Sequence, residues 1–319
     1  MPQTVTILEA SDVQSMIDAA VAPLEERITA LENDNGGGGG GQSPSGIEMP
    51  TDVPSGWKVS IAEHFDLDCA SKAEFDSKYP ARKILRYPDN YPDTRKNQGK
   101  ADGGYYTANI TVAGSVLTAH MKVVNGVAQC MSLVPKATND GKWGDSPGLI
   151  WEECSKFTYT DGFKSAHLSW PKSNDSTPDG EIDFPEFDAD DDVCAFLHHQ
   201  GATQGSDQKQ FNTDVDPTQW HWYRTIWKMG EYVEFYCDGV LIAPRYTTRI
   251  PSTPMHLSLQ NETWLSSAPV PANATGTVST DWIRVLIPSN VTPSAEIQDF
   301  DWPRVSGNDF PGNLRDRRR

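Results

Sequence analysis

The chain has 319 residues, with 27 Lys and Arg against 44 Asp and Glu, and a formal net charge of -17 at pH 7. That acidity argues against nucleic acid or an anionic membrane surface as the main partner, because both would repel it. Only Arg315-Asp316-Arg317-Arg318-Arg319 is basic; it is too short to bind DNA specifically and reads as a solvated tail or a contact to an acidic neighbour.

Residues 1–35 read as a helical coiled-coil or attachment segment. Ile17, Val21, Leu24, Ile28 and Leu31 alternate four and three apart, the apolar seam of a coiled coil. Gln14, Ala10 and Ile7 continue the register backwards, with Gln14 as a polar core position. Ser11-Asp12-Val13-Gln14 has the form of a capping box, and Pro23 suits the first turn of a second helix or a kink between two. The seam predicts a homo-oligomer, a dimer or trimer; the other reading is one helix docked on a different protein. Residues 36–54 follow as a Gly/Ser/Pro-rich linker. The run Gly36–Gly41 and the segment Gln42-Ser43-Pro44-Ser45-Gly46 bury nothing, so they predict a flexible tether spanning about 18 Å root mean square.

From residue 55 to 288 the pattern changes to all-β. Short β-branched or aromatic runs such as Ala108-Asn109-Ile110-Thr111-Val112 and Tyr232-Val233-Glu234-Phe235-Tyr236 lie between turn-rich stretches, and no long amphipathic helix interrupts them. Within this region Gly180-Glu181-Ile182-Asp183-Phe184-Pro185-Glu186 sets three carboxylates in a span otherwise apolar. In a regular strand Glu181 and Asp183 share a face and Glu186 takes the other. One extra residue, a β-bulge, reverses that parity, and Pro185, which has no N–H to give a ladder, is tolerated at a bulge. Two carboxyls so gathered, with a third between them, suit retaining glycoside hydrolysis, whose nucleophile and acid stand roughly 5 to 5.5 Å apart. The middle Asp183 would help push the acid and the base apart in pKa. The plainer reading is an acidic strand exposed to solvent.

Glu181-Ile182-Asp183-Phe184-Pro185-Glu186 resembles the E-x-D-x-x-E signature of the family 16 glycoside hydrolases, in the laminarinase-like form with a bulge. The resemblance extends to Gly162–Pro171 and Leu117–Lys122 upstream. Downstream, Trp220-His221-Trp222-Tyr223-Arg224-Thr225-Ile226-Trp227 with Val233–Gly239 is similar to that family's hairpin, and Pro254–Gln260 and Asp281–Val285 to its last strands. It implies a β-jelly-roll sandwich of two antiparallel sheets, with Glu181 as nucleophile, Asp183 as the residue that tunes it, and Glu186 as general acid and base. Pro185 departs from the family's aliphatic residue or Met. After Phe187 the chain enters Asp188-Ala189-Asp190-Asp191-Asp192, which reads as a solvated turn, a structural calcium site, or charge set against an anionic substrate. No other metal and no cofactor is expected.

A sugar site also needs aromatic faces, and the chain has ten Trp. Trp170, Trp143, Trp151 and Trp264 are the candidate platforms, joined by His199, whose place resembles a family position on the leaving-group side. His198, Trp220 and Trp222 are further candidates, whereas Trp227, Tyr236 and His221 read as structural. Five cysteines with no C-x-x-C pair make a zinc site improbable, and an odd number leaves at least one thiol free.

Residues 289–319 form a C-terminal tail. Met1-Pro2-Gln3-Thr4 shows no secretory signal, and no run is long enough to cross a bilayer. A helical segment, a glycine tether and a sugar-active domain, in that order, resemble the minor tail proteins of phages that infect actinobacteria. The resemblance implies a virion protein made in the host cytoplasm, with other tail proteins and host-envelope polysaccharide as partners. Two functions then stand side by side: a working endo-acting β-glycanase, and an adhesin that uses the same cleft only to bind.

Overall fold

The computed structural model describes residues 43–89, 91, 93, 110–189 and 191–297. The segment predicted to form a coiled coil, Gly36–Gly41 of the predicted linker and the predicted tail beyond residue 297 lie outside the described residues.

Two antiparallel sheets make an all-β, jelly-roll-like sandwich. The nine-stranded sheet runs β14 (Val240–Leu241), β13 (Tyr232–Cys237), β12 (His221–Lys228), β7 (Leu149–Tyr159), β16 (Thr275–Pro288), β4 (Val116–Val124), β3 (Ile110–Ala113). To it β1 (Trp57–Glu63) adds on β16 and β5 (Val127–Gln129) on β4. The seven-stranded sheet runs β11 (Gln208–Asn212), β10 (Cys194–His198), β9 (Glu181–Asp188), β8 (Phe163–Pro171), β15 (Met255–Thr263), β6 (Met131–Pro135), β2 (Ile84–Arg86). Helix is minor among the described residues. Helix α1 (Lys72–Lys78), capped by Ser71, buries only Phe75, and α2 (Ser176–Asp179) is a single turn.

One apolar core fills the space between the sheets, and aromatic rings join them at β9. The Phe184 ring stands edge-on to Tyr223 at 5.4 Å and to Phe235 at 5.7 Å, and Phe187 edge-on to Phe157 at 5.3 Å. Such pairs add about 0.5–1.5 kcal/mol each beyond the area they bury, so the strand that carries the carboxylates is anchored from below. A separate small cluster of Ala166, Leu168 and Trp170 marks the other face of β8, the face turned away from the core.

Part of the predicted tether belongs to the domain. Ser43 Oγ donates to Asp281 Oδ2, Ser45 N donates to the same atom at 2.9 Å, and Trp282 Nε1 donates to Ile47 O at 2.7 Å. The composition promised nothing to bury, but these residues cap polar groups of β16 rather than add apolar surface. At the other end, Ser289 N donates to Gly56 O and Ser294 N to Ala137 O, so the start of the tail also packs back. All five cysteines are buried free thiols.

Candidate active site

The site is built on an irregularity in β9. Against β10, Cys194 pairs with Glu186 but Phe196 with Asp183; against β8, Ala166 pairs with Glu186 but Leu168 with Asp183. Three residues of β9 therefore span two on each neighbour, a bulge at Phe184-Pro185. Its effect shows on both faces. Ile182, Phe184 and Phe187 point into the core, so Glu181, Asp183 and Glu186 share the opposite face. The carbonyls released by the bulge find donors: Ser165 Oγ binds Pro185 O at 3.0 Å, and Trp151 Nε1 approaches Phe184 O at 3.4 Å. The Phe184–Pro185 bond is cis. Just upstream, Gly180 has φ +82, and a Cβ there would stand 2.8 Å from His198 O, so only glycine lets β9 begin so close to β10.

The three carboxylates are 3 %, 2 % and 4 % exposed in chain order. His198, paired with Glu181 across the sheet, completes the group. Its Nε2 lies 3.4 Å from Asp183 Oδ2 and its Nδ1 3.1 Å from Gly205 O. A carbonyl can only accept, so Nδ1 carries a proton, and Nε2 facing a carboxylate calls for a second proton between them. Burial opposes charge on His198, but the Asp183 hydrogen bond and the charges of Glu181, Asp183 and Glu186 outweigh it and push its pKa from 6.5 to about 9. Burial, then the charges of Glu181 and Glu186, hold the Asp183 carboxyl well above the usual carboxylate range. Both shifts favour the protonated forms, which leaves the strand with less negative charge than its sequence suggests.

This makes stability depend on pH with a defined sign. A histidine whose pKa rises on folding stabilises fully below its unfolded value, and that stabilisation is lost as pH climbs through the folded value. Between pH 6.5 and about 9 the fold should therefore lose on the order of 3 kcal/mol from His198. Urea denaturation at pH 6 and pH 9 tests this. The parent should weaken across the interval and His198→Gln should lose most of that slope; equal slopes would remove His198 from the account.

Glu186 has a different neighbour. Lys164 Nζ donates to Glu186 Oε1 at 2.7 Å and lies 3.8 Å from Glu262 Oε1, with all three side chains no more than 5 % exposed. Beside this pair a cavity of about 310 Å³ is lined by Lys164, Glu186, Asp188, Asp191, Asp192 and Phe196, together with three amides, Gln208, Gln210 and Asn212, from β11. The predicted acidic turn thus becomes one wall of a cavity. Among the described residues, Asp188, Asp191 and Asp192 do not converge as a cation cage; donor atoms come within 4.8 Å of one another in Glu181, Asp183 and His198, and in His221, Cys237 and Asp238. The latter set is tied up by His221 Nδ1 on Asp238 Oδ2 at 2.7 Å.

The predicted platforms divide. Trp170 follows Ser169, which pairs with Ile182, so it comes level with Glu181, where it is nearly buried and donates to Asn174 Oδ1 at 2.8 Å. Trp143 is half-buried near the β2 edge, edge-on to Tyr87 at 5.3 Å with Lys142 over its ring. Trp264 is half-buried where β15 ends, its amide on Gly162 O. Two expectations need correction. Trp151 is 1 % exposed in the inter-sheet core and supports the bulge rather than a sugar. His199 points off the carboxylate face, bound to Asp207 at 2.7 Å and stacked on Tyr246; its neighbour His198 is the one at the site. Trp220 and Trp222 flank or belong to β12 in the other sheet. Lys164 is the residue that sequence reasoning missed.

Residues 152–284 match the family model of glycosyl hydrolases family 16. The matched stretch runs from most of β7 through most of β16 and includes all of β9. No curated protein matches the chain. Among solved structures, SCLam, a non-specific endo-beta-1,3(4)-glucanase from family GH16, is 18 % identical with a TM-score of 0.53, covering 75 % of this chain and 94 % of its own. The Bacillus licheniformis beta-glucanase is 18 % identical with a TM-score of 0.52, covering 71 % and 97 %. An immunostimulatory antigen and pseudo beta-1,3-glucanase of Mycobacterium tuberculosis is 19 % identical with a TM-score of 0.54, covering 73 % and 99 %. At these identities the likeness is one of fold.

Proposed function

We propose that the jelly roll binds and hydrolyses a β-linked polysaccharide of a bacterial host envelope by a retaining, two-carboxylate mechanism, as the sugar-active end of a phage minor tail protein. The observation that carries the chemistry is the bulge at Phe184-Pro185, which puts Glu181, Asp183 and Glu186 on one face. In this reading Glu181 attacks the anomeric carbon and Glu186 protonates the departing oxygen. Water, deprotonated by Glu186, then displaces Glu181. Asp183, whose carboxyl burial holds above the usual carboxylate range, keeps negative charge off the middle of the strand and leaves Glu181 as the nucleophilic carboxylate. Trp170 beside Glu181 and the cavity beside Glu186 are placed to receive the sugars on either side of the cleaved bond. The family match and the glucanase-like fold support a β-glucan or related polymer. The tail setting is supported by the order of segments in the sequence, a seam of apolar residues over 1–35 and a glycine run ahead of the domain.

Reducing-sugar release from laminarin, lichenan, agarose and arabinogalactan of actinobacterial walls tests the reading. One of these should be cut, with product first appearing as the β-anomer by proton NMR. Initial α-product would rule out retention, and no release from any would favour the second reading, binding without cleavage. A specific observation speaks for that second reading: the Lys164 ammonium sits 2.7 Å from the carboxyl that must deliver a proton.

A further inference from the structure

We propose that Lys164 is a positioning residue that holds Glu186 in its charged form, so that the resting site is set for base catalysis rather than acid catalysis. The inference rests on the hydrolase reading of the same three carboxylates. Lys164 belongs to β8, where it pairs with Asp188 on one side and Glu262 on the other. Its side chain is 2 % exposed, and its ammonium is in contact with Glu186 at 2.7 Å. At that distance and burial, a cation stabilises the ionised carboxylate directly.

Other titratable groups face Glu186 from the strands around it. Glu181, Asp183 and Asp188 stand on β9 itself, Glu262 on β15, Cys194 and His198 on β10, and Asp191 and Asp192 across the cavity. The acids among them favour a proton on Glu186; His198 and Lys164 oppose it, and Lys164 does so in contact. The cavity amides Gln208, Gln210 and Asn212 are neutral and shift the balance little.

The two half-reactions need opposite forms of Glu186. In the first, its proton passes to the glycosidic oxygen as the C1–O bond breaks and Glu181 forms a new C1–O bond. In the second, its carboxylate takes a proton from water as the water oxygen bonds to C1 and Glu181 leaves. Lys164 therefore retards the first step and assists the second. Substrates whose leaving group departs as a stable anion escape the first penalty, whereas a polysaccharide does not. Glu262, 3.8 Å from the same ammonium, competes for it and partly relieves the hold on Glu186.

The test uses the full chain and its Lys164→Met, Glu262→Gln and Glu186→Gln variants. With glutamate carboxyls labelled with carbon-13, the Glu186 signal, assigned by its loss in Glu186→Gln, is titrated by NMR. Its midpoint should lie about 1 to 3 pH units higher in Lys164→Met than in the parent, and lower than the parent in Glu262→Gln, which leaves a folded site with the ammonium given over to Glu186. The ratio of kcat/KM for polysaccharide to that for a 2,4-dinitrophenyl β-glycoside should rise about tenfold in Lys164→Met. A merely structural lysine would change neither the midpoint nor the ratio. Identical midpoints in the parent and both charge variants overturn the proposal. If the parent cleaves neither substrate, the hydrolase reading falls, and the titration still decides what Lys164 does to Glu186.

Discussion

Glu181→Gln should lower polysaccharide turnover by about 10⁴-fold or more while leaving affinity within about threefold of the parent, the pattern of losing a group that acts chiefly in the transition state. The amide keeps the shape of the carboxyl but supplies no nucleophile, so the first C1–O bond cannot form. Glu181 is nearly buried and its charge is among those that hold Asp183 well above the usual carboxylate range, after burial itself. Removing it relieves repulsion, so the variant should be at least as stable as the parent. Reducing-sugar assays at saturating substrate, calorimetry on the same polymer and a urea curve separate the three quantities. A variant that keeps a tenth of the parent's turnover would exclude Glu181 as nucleophile. In Glu181→Ala, restored cleavage with added azide, giving an α-glycosyl azide, would place the missing nucleophile at this position, because a small anion can then attack from the space the side chain has vacated.

The carboxylate strand was readable because its signal is local. Parity along a strand and a proline without an N–H both lie within Glu181–Glu186, and the bulge they imply needs no distant partner. Lys164 was not readable for the opposite reason. A lysine in a β pattern reads as a solvent-facing residue, and only the register of β8 on β9 and β15 shows that it is enclosed between Glu186 and Glu262. Trp151 failed as a platform, and for a reason tied to the sheet. Along β7, as along β8 and β15, residues on both faces are buried, so alternation that would separate a core Trp from a cleft Trp is missing. His198 and His199 are adjacent in sequence, and a shift of one residue decides which meets the carboxylates; the pairing of His198 with Glu181 settles it.

Arg284→Met should cost about 3 to 5 kcal/mol at pH 7, the penalty for leaving a buried partner charge unpaired. Arg284 crosses from β16 to Glu152 on β7 with Nη1 at 2.9 Å from Oε2, and Arg224 of β12 approaches Oε1 at 3.4 Å, with the Glu152 side chain fully enclosed. Burial raises the Glu152 pKa and the two guanidiniums pull it back. With Arg284 gone, Glu152 must either hold a charge in the interior against one weaker partner or take up a proton on folding. A carboxyl whose folded pKa is raised destabilises at pH above its unfolded value and not below it. The deficit should therefore be largest near neutrality and shrink as pH falls toward 4. Arg284 Nη2 also donates to Asp52 O, so the variant should expose residues 43–54 to limited proteolysis before the sheets unfold. Adding Glu152→Met should recover much of the loss, because the charge and its partner then leave together. A deficit under about 1 kcal/mol that does not vary with pH would mean that the row Arg224, Glu152, Arg284 behaves as a solvated surface pair, and the docking of residues 43–54 would then need another cause.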